Sequence, residues 1–348
     1  MISMSLAQAQ RLMSLYGLST FLVLGTVGNF LLFCVLIQNT HRRNSCSLYL
    51  LSITIVNFIL IQCSIPFAVY AAIDVEDQKI PLIWCKMRSY LFNALLMLYR
   101  WYKMAACVDR AAMCSRHVWI RSFSQAHIAR RAILIITFVW LLIPIHLFLY
   151  FRLESDGCVP QSGAYAKFFS AYSIAISGWP PPIVMIICGI ISYRNLKKIR
   201  GRAVSRNVNN NQVNGYVITP NHQRIGRRDE QLTILIMYEV ILYVITNLLY
   251  SINITYLTIT SNYPKSAYQI HIESFITFFS SPFLVIINSC APFYLYFIVS
   301  SKFRRDLTKL SSLSYCHHRQ MRSKHNNERI RFTYTTTRDL IFSSRIHH

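Results

Sequence analysis

Acid is what this sequence has least of: Asp and Glu together number 13 against 36 Lys and Arg in 348 residues, a formal net charge of +23. Charged residues of both signs make up only 14% of the chain and apolar residues 53%, whereas soluble domains carry about 25% charged residues. A pair of soluble domains does not fit that composition. Also missing are a nucleophile with its base, a metal-ligand cluster and a glycine-rich phosphate loop, so nothing supports an enzyme, and no cofactor or metal is expected. No internal repeat with matching Gly or Pro interruptions is visible, which counts against a transporter. No charged n-region precedes the first apolar run, which is too long for an h-region; that run is expected to serve as its own signal-anchor.

What is present is apolar sequence in seven segments, roughly 15–38, 47–73, 84–110, 131–151, 165–193, 231–259 and 270–298, each long enough to span a bilayer. The expected fold is an all-α membrane protein, a seven-transmembrane helix bundle. An outer tail, residues 1–14, precedes it; a short amphipathic helix over 300–311 and a basic cytoplasmic tail over 312–348 follow. Basic residues alternate by loop. Arg42 and Arg43 follow segment one, Arg116, Arg121, Arg130 and Arg131 follow segment three, and Arg194, Lys197, Lys198 and Arg200 follow segment five. The opposite loops hold the acids Asp74, Glu76, Asp77, Glu154, Asp156 and Glu273. The positive-inside rule then puts the N-terminus outside and the tail in the cytoplasm, as in a plasma-membrane protein. Cations placed this way face anionic inner-leaflet lipid and partner proteins; nucleic acid is not an expected partner.

The third segment organises the rest. From Cys85 to Arg110 is about 25 residue steps, roughly 37 Å of helix, so one end is oxidising and the other cytoplasmic. Cys85 and Cys158 are the two cysteines on the outer side, and topology pairs them in a disulfide. Arg100 and Lys103 fall near mid-membrane, where each basic residue facing lipid costs about 2.5 to 3.5 kcal/mol, so both must face the bundle. Lys103 lies about 10 Å above Arg110 and Glu239 roughly 15 Å above Asp229, a gap a lysine side chain closes. A buried Lys103–Glu239 ion pair is expected, with Arg100 as a second donor; the competing reading has each residue reaching separately into internal water.

A cysteine at the top of a spanning helix and Asp109-Arg110-Ala111 at its foot resemble the third helix of rhodopsin-like G-protein-coupled receptors. The resemblance extends over about residues 15–310. It implies that Arg110 is held at rest by Asp109 and by Asp229, then engages a heterotrimeric G protein, with arrestin and a receptor kinase as further partners. It also supports the Cys85–Cys158 pairing, and it makes Asn29 a link from the first helix to the second and seventh. On the seventh helix it matches Tyr296, within Asn288-Ser289-Cys290-Ala291-Pro292-Phe293-Tyr294-Leu295-Tyr296, to the tyrosine of an Asn-Pro-x-x-Tyr motif. Cys316 becomes a palmitoylation candidate.

The chain departs from that family in places. Asn57 stands where an aspartate anchors sodium, with Tyr99 and Pro292 also changed, so no sodium site is expected. Ala111 replaces an aromatic, Asn247 a tryptophan and Leu249 a proline. Trp179-Pro180-Pro181-Pro182 has three prolines where one is usual, and a kink is expected. Phe92 replaces the aspartate of amine receptors, and no lysine lies between His271 and Val299 to hold retinal. The resemblance to invertebrate receptors for short amidated, FMRFamide-like peptides suggests a peptide, with a small molecule as the other ligand class. Tyr90, Phe92, Tyr99 and Tyr250 are the candidate pocket lining, and the outer acids would suit a cationic peptide. With so many changed motifs, a decoy or a constitutively active receptor of the same fold is the alternative.

Overall fold

The computed structural model describes residues 2–73, 81–115, 117–154, 157–210, 220–261 and 263–310; side chains at 2–5, 39, 40, 71, 154, 157, 199–210 and 220–230 lie outside the description. Thirteen helices follow one another among these residues. The first, α1 (Ile2–Leu12), runs through a π-turn at Met13–Leu18 into α2 (Ser19–Leu36), so most of the expected outer tail is helical. After a short α3 (Asn39–Arg42) come the long α4 (Ser45–Ile73) and α5 (Leu82–Met113). Next are α6 (Val118–Ser122), α7 (Ala126–Leu142) and α8 (Ile145–Tyr150), the last two separated at Pro144, which cannot donate to the preceding turn.

A hairpin of β1 (Phe151–Glu154) and β2 (Gly157–Pro160) interrupts the helices, with Leu153 opposite Cys158. It leads through Gly163, whose φ of 92° suits a residue without Cβ, to α9 (Ala164–Tyr172). A second π-turn, Ser173–Gly178, precedes α10 (Pro180–Asn210), and α11 (Pro220–Ile259) follows. Ser266 caps α12 (Ala267–Phe278) by accepting from the Gln269 N–H at 3.2 Å. A third π-turn, Phe279–Phe283, joins α12 to α13 (Leu284–Val299).

Among the described residues, six helical stretches are long and apolar enough to cross a membrane: Leu6–Leu36, Ser45–Tyr70, Ala126–Tyr150, Ala164–Lys198, Gln231–Ile259 and Ala267–Val299. Large apolar side chains on them, such as Leu134, Ile135, Phe138, Ile245 and Ile298, are exposed. In water such a surface would aggregate, whereas in hydrocarbon it is the face expected. The chain is a multi-pass membrane protein. α5 differs from these six. It is 32 residues long, or about 48 Å, and Lys86, Arg88, Arg100, Lys103, Asp109 and Arg110 set it apart by composition.

α5 is also the most widely connected helix, packing on α4, α7, α8, α10, α11 and β1. α2 packs on α4 and α13, and α11 on α10 and α13. At the α2–α4–α13 junction, Leu18, Ile61, Ile65, Ile286 and Cys290 form a buried cluster. Close approach there depends on Gly25: a Cβ at that position would stand 2.5 Å from Cys290 Sγ and 2.7 Å from Ile61 Cδ1. Contacts divide the chain into residues 1–300 and a second unit from Ser301. Of that unit, 301–310 are helical, with Lys309 Nζ 3.8 Å from Asp306 Oδ1.

Candidate functional site

α5 places three polar stations along one helix. At its Cys85 end, Cys85 and Cys158 form a disulfide with Cα atoms 5.5 Å apart, tying the helix to the hairpin.

At the far end, Asp109 and Arg110 are both buried. Arg110 donates to Asp109 Oδ2 from Nη2 at 2.6 Å and from Nε at 3.1 Å. Two hydroxyls complete the cage. Ser45, opening α4, donates to Oδ2 at 3.0 Å, and Ser124, in the turn between α6 and α7, donates to Oδ1 at 2.8 Å. Four hydrogen bonds from three segments hold one carboxylate, and charge-assisted bonds of this kind are the strong ones. Neither serine carries a signal in the sequence, since small hydroxyls at helix starts and turns are common; only the need of a buried carboxylate for donors points to them. Asp229, the second acid expected at Arg110, lies outside the described side chains.

Between these ends sits a cluster of opposite character. Lys103 Nζ lies 3.5 Å from Glu239 Oε2, with both side chains buried. The ammonium also faces the Tyr99 ring at 4.7 Å and the Tyr243 ring at 5.7 Å, a cation–π setting suited to a dry site. The Tyr296 hydroxyl is within electrostatic reach of Glu239, and a small cavity lined by Lys103, Glu239, Ile53, Cys107, Met185 and Val240 adjoins the pair.

Arg100 does not join this pair as the expected second donor. Its side chain is fully buried, its Nη1 donates to the Ser177 carbonyl at 2.7 Å, and its guanidinium carbon lies 4.7 Å from the centre of the Tyr250 ring. The prolines explain the choice. Pro181 and Pro182 have no N–H to offer the carbonyls four residues earlier, those of Ser177 and Gly178. Arg100 takes the first carbonyl from α5, and the Ser251 hydroxyl on α11 takes the second at 2.9 Å. The triple proline follows a π-turn and opens α10, and the carbonyls it releases bind three helices together. Pro-Pro-Pro was the signal available in the sequence; the need of the freed carbonyls for donors was the step missed.

The remaining expected residues are spread through the bundle. Asn29 donates to Gly25 O at 2.8 Å and to Ser289 O at 3.0 Å, so it reaches its own helix and α13. Asn57 is fully buried, and neither its Oδ1 nor its Nδ2 has a partner among the described residues. Asn247 turns to its own helix, donating to Tyr243 O at 3.3 Å, while Asn288 donates to the Thr246 hydroxyl. Pro292 lies inside α13, and Tyr296, one turn on, is buried.

The four aromatic residues named for the pocket do not converge. Tyr90 donates to Leu141 O at 2.8 Å on α7, Phe92 is half-buried, and Tyr99 lies tilted against Tyr243 with centroids 6.2 Å apart. Only Tyr99 and Tyr250 approach the central cluster. Glu273 is not an available acid, because Lys265 binds it at 2.6 Å and Tyr256 and Gln269 donate to its other oxygen. Asp74, Glu76, Asp77 and Asp156, the Glu154 side chain and Cys316 lie outside the described residues.

Comparison with known proteins agrees with this arrangement. No curated protein sequence matches the chain. A family described as 7 transmembrane receptor (rhodopsin family) matches residues 28–329, most of the chain. The central helix with its disulfide at one end and its caged Asp-Arg pair at the other thus lies wholly within the match, and the chain belongs to the rhodopsin family of G-protein-coupled receptors, a receptor and not an enzyme.

Proposed function

We propose that this receptor spans the plasma membrane seven times, with α5 as one of the spans. It takes an extracellular ligand, a short peptide, at the Cys85 end and activates a heterotrimeric G protein at the Arg110 end. In favour of α5 as a span, its mid-helix charges Arg100 and Lys103 are buried, so neither incurs the cost of facing hydrocarbon. The N-terminus is outside, and residues 301–310 lie as an amphipathic helix on the inner leaflet, where basic residues meet anionic lipid.

The observation that carries the coupling role is the cage around Asp109. A buried arginine held by a carboxylate, itself held by two serines from other segments, is a latch that opens if those segments move. The Lys103–Glu239 pair is the second restraint, tying α5 to α11 at mid-depth. Relative movement of α5 and α11 has to break it, at a cost set by separating charges in a dry interior. Together the two restraints define a resting state, and ligand binding favours the state in which they are released.

The test is a G-protein activation reporter in cells expressing the full chain at the surface, with and without a panel of short amidated peptides. A basal or peptide-evoked signal that disappears in Arg110→Ala at equal surface expression supports coupling through this residue. A signal unchanged in Arg110→Ala counts against it, and silence of well-expressed wild type under all ligands favours a non-signalling decoy.

A further inference from the structure

We propose that Arg100 anchors a binding site for a small monovalent anion, a halide or a small carboxylate, between α5, α10 and α11. Arginine does not give up its proton in a protein, so the fully buried Arg100 is a permanent positive charge. No carboxylate among the described residues lies within ion-pair distance of it. The nearby acid, Glu239, is taken by Lys103 at 3.5 Å. The central cluster therefore holds two cations and one anion, and the excess positive charge lies with Arg100.

The guanidinium is also only partly used. Nη1 donates to the Ser177 carbonyl at 2.7 Å, and one face meets the Tyr250 ring at 4.7 Å. Nε and Nη2 are buried with no acceptor among the described residues. The hydroxyls of Tyr99 and Tyr243 are likewise buried and have no acceptor there, the Tyr99 oxygen being met by the Lys103 ammonium, and both lie within electrostatic range of Arg100. Two guanidinium N–H groups and two phenol O–H groups are donors in search of an acceptor. A water would satisfy two of them and leave the charge; an anion satisfies donors and charge together.

Geometry limits the anion's size and valence. Arg100 is fully buried and lies about 15 residues, roughly 22 Å, along α5 from Cys85, which favours a small ion from the surrounding fluid over a group carried on a bulky ligand. One excess positive charge matches one negative charge.

The experiment is thermal unfolding of the full chain in lipid nanodiscs at fixed sodium concentration and ionic strength, with chloride, acetate or a bulky organic sulfonate as the sole anion. In wild type, chloride or acetate is expected to raise Tm by about 2 to 4 °C over the sulfonate. A larger rise in chloride identifies a halide site and a larger rise in acetate a carboxylate site. Arg100→Met is expected to abolish the difference, and Tyr243→Phe to reduce it. If Arg100→Met does not fold, Tyr243→Phe decides. Equal Tm of wild type in the three anions overturns the proposal, as does an undiminished rise in either variant.

Discussion

The two charge clusters on α5 lie two turns apart and are built on opposite plans. At the Arg110 end, one carboxylate receives four donors, and both its oxygens are used. At mid-depth, one carboxylate is reached by Lys103 alone, at a longer 3.5 Å, Arg100 stands beside that pair without a carboxylate, and two of its nitrogens and the hydroxyls of Tyr99 and Tyr243 have no acceptor among the described residues. The first, in the proposed resting state, is the latch, and it is held by serines from other segments. The second is short of negative charge, which makes it sensitive to any group that supplies or removes one. A carboxylate with both oxygens engaged favours one arrangement, whereas a partly satisfied polar network leaves several close in energy.

Predictions follow from trying to make the clusters alike. Glu239→Leu leaves Lys103 as a second uncompensated buried cation, and breaking one partner of such a pair costs about 3 to 5 kcal/mol. Surface expression should fall steeply or basal signalling should rise, read by surface labelling and the G-protein reporter. Asp109→Asn takes the charged partner on the same helix away from Arg110. Loss of charge-assisted bonds to Arg110 amounts to roughly 1.5 to 3 kcal/mol, and basal signalling should rise at retained expression.

Ser124→Ala removes one donor from Oδ1 and leaves the salt bridge intact. A shift of about 1 kcal/mol is expected, visible as a basal signal between wild type and Asp109→Asn. Equal signals in Ser124→Ala and wild type would show that the turn between α6 and α7 is no part of the latch. The smallest effect is expected of Ser251→Ala, which leaves the Gly178 carbonyl without its donor from α11. Hydrogen bonds between membrane helices average about 0.6 kcal/mol, so Tm in nanodiscs should drop by only a degree or two.

Much of this was legible in the sequence for physical reasons. Long apolar runs and alternating loop charge mark spans because hydrocarbon tolerates little else. Helical rise put Lys103 and Glu239 at one level, where the structure has them 3.5 Å apart. Topology singled out Cys85 and Cys158, and the structure joins them. What escaped reading depends on contacts between segments with no periodic signal. Ser45 and Ser124 meet Asp109 only because α4 and the turn after α6 arrive at the same place. Arg100 was expected at Glu239 and instead serves a carbonyl that a proline four residues later releases. Tyr90, named for the pocket by residue type alone, turns to α7. Counting along a helix finds depth well; which way a side chain faces across the bundle is settled by neighbours that no single segment reveals.

The most direct test of the resting-state account is a double-mutant cycle on Lys103 and Glu239, reading basal G-protein activity per receptor at the surface. The account predicts that Lys103→Leu and Glu239→Leu each raise basal activity or lose the protein from the surface, and that the double mutant returns toward wild type because no buried charge is left alone. Effects of the two substitutions that simply add would contradict it, since the residues would then be acting separately and not as a pair.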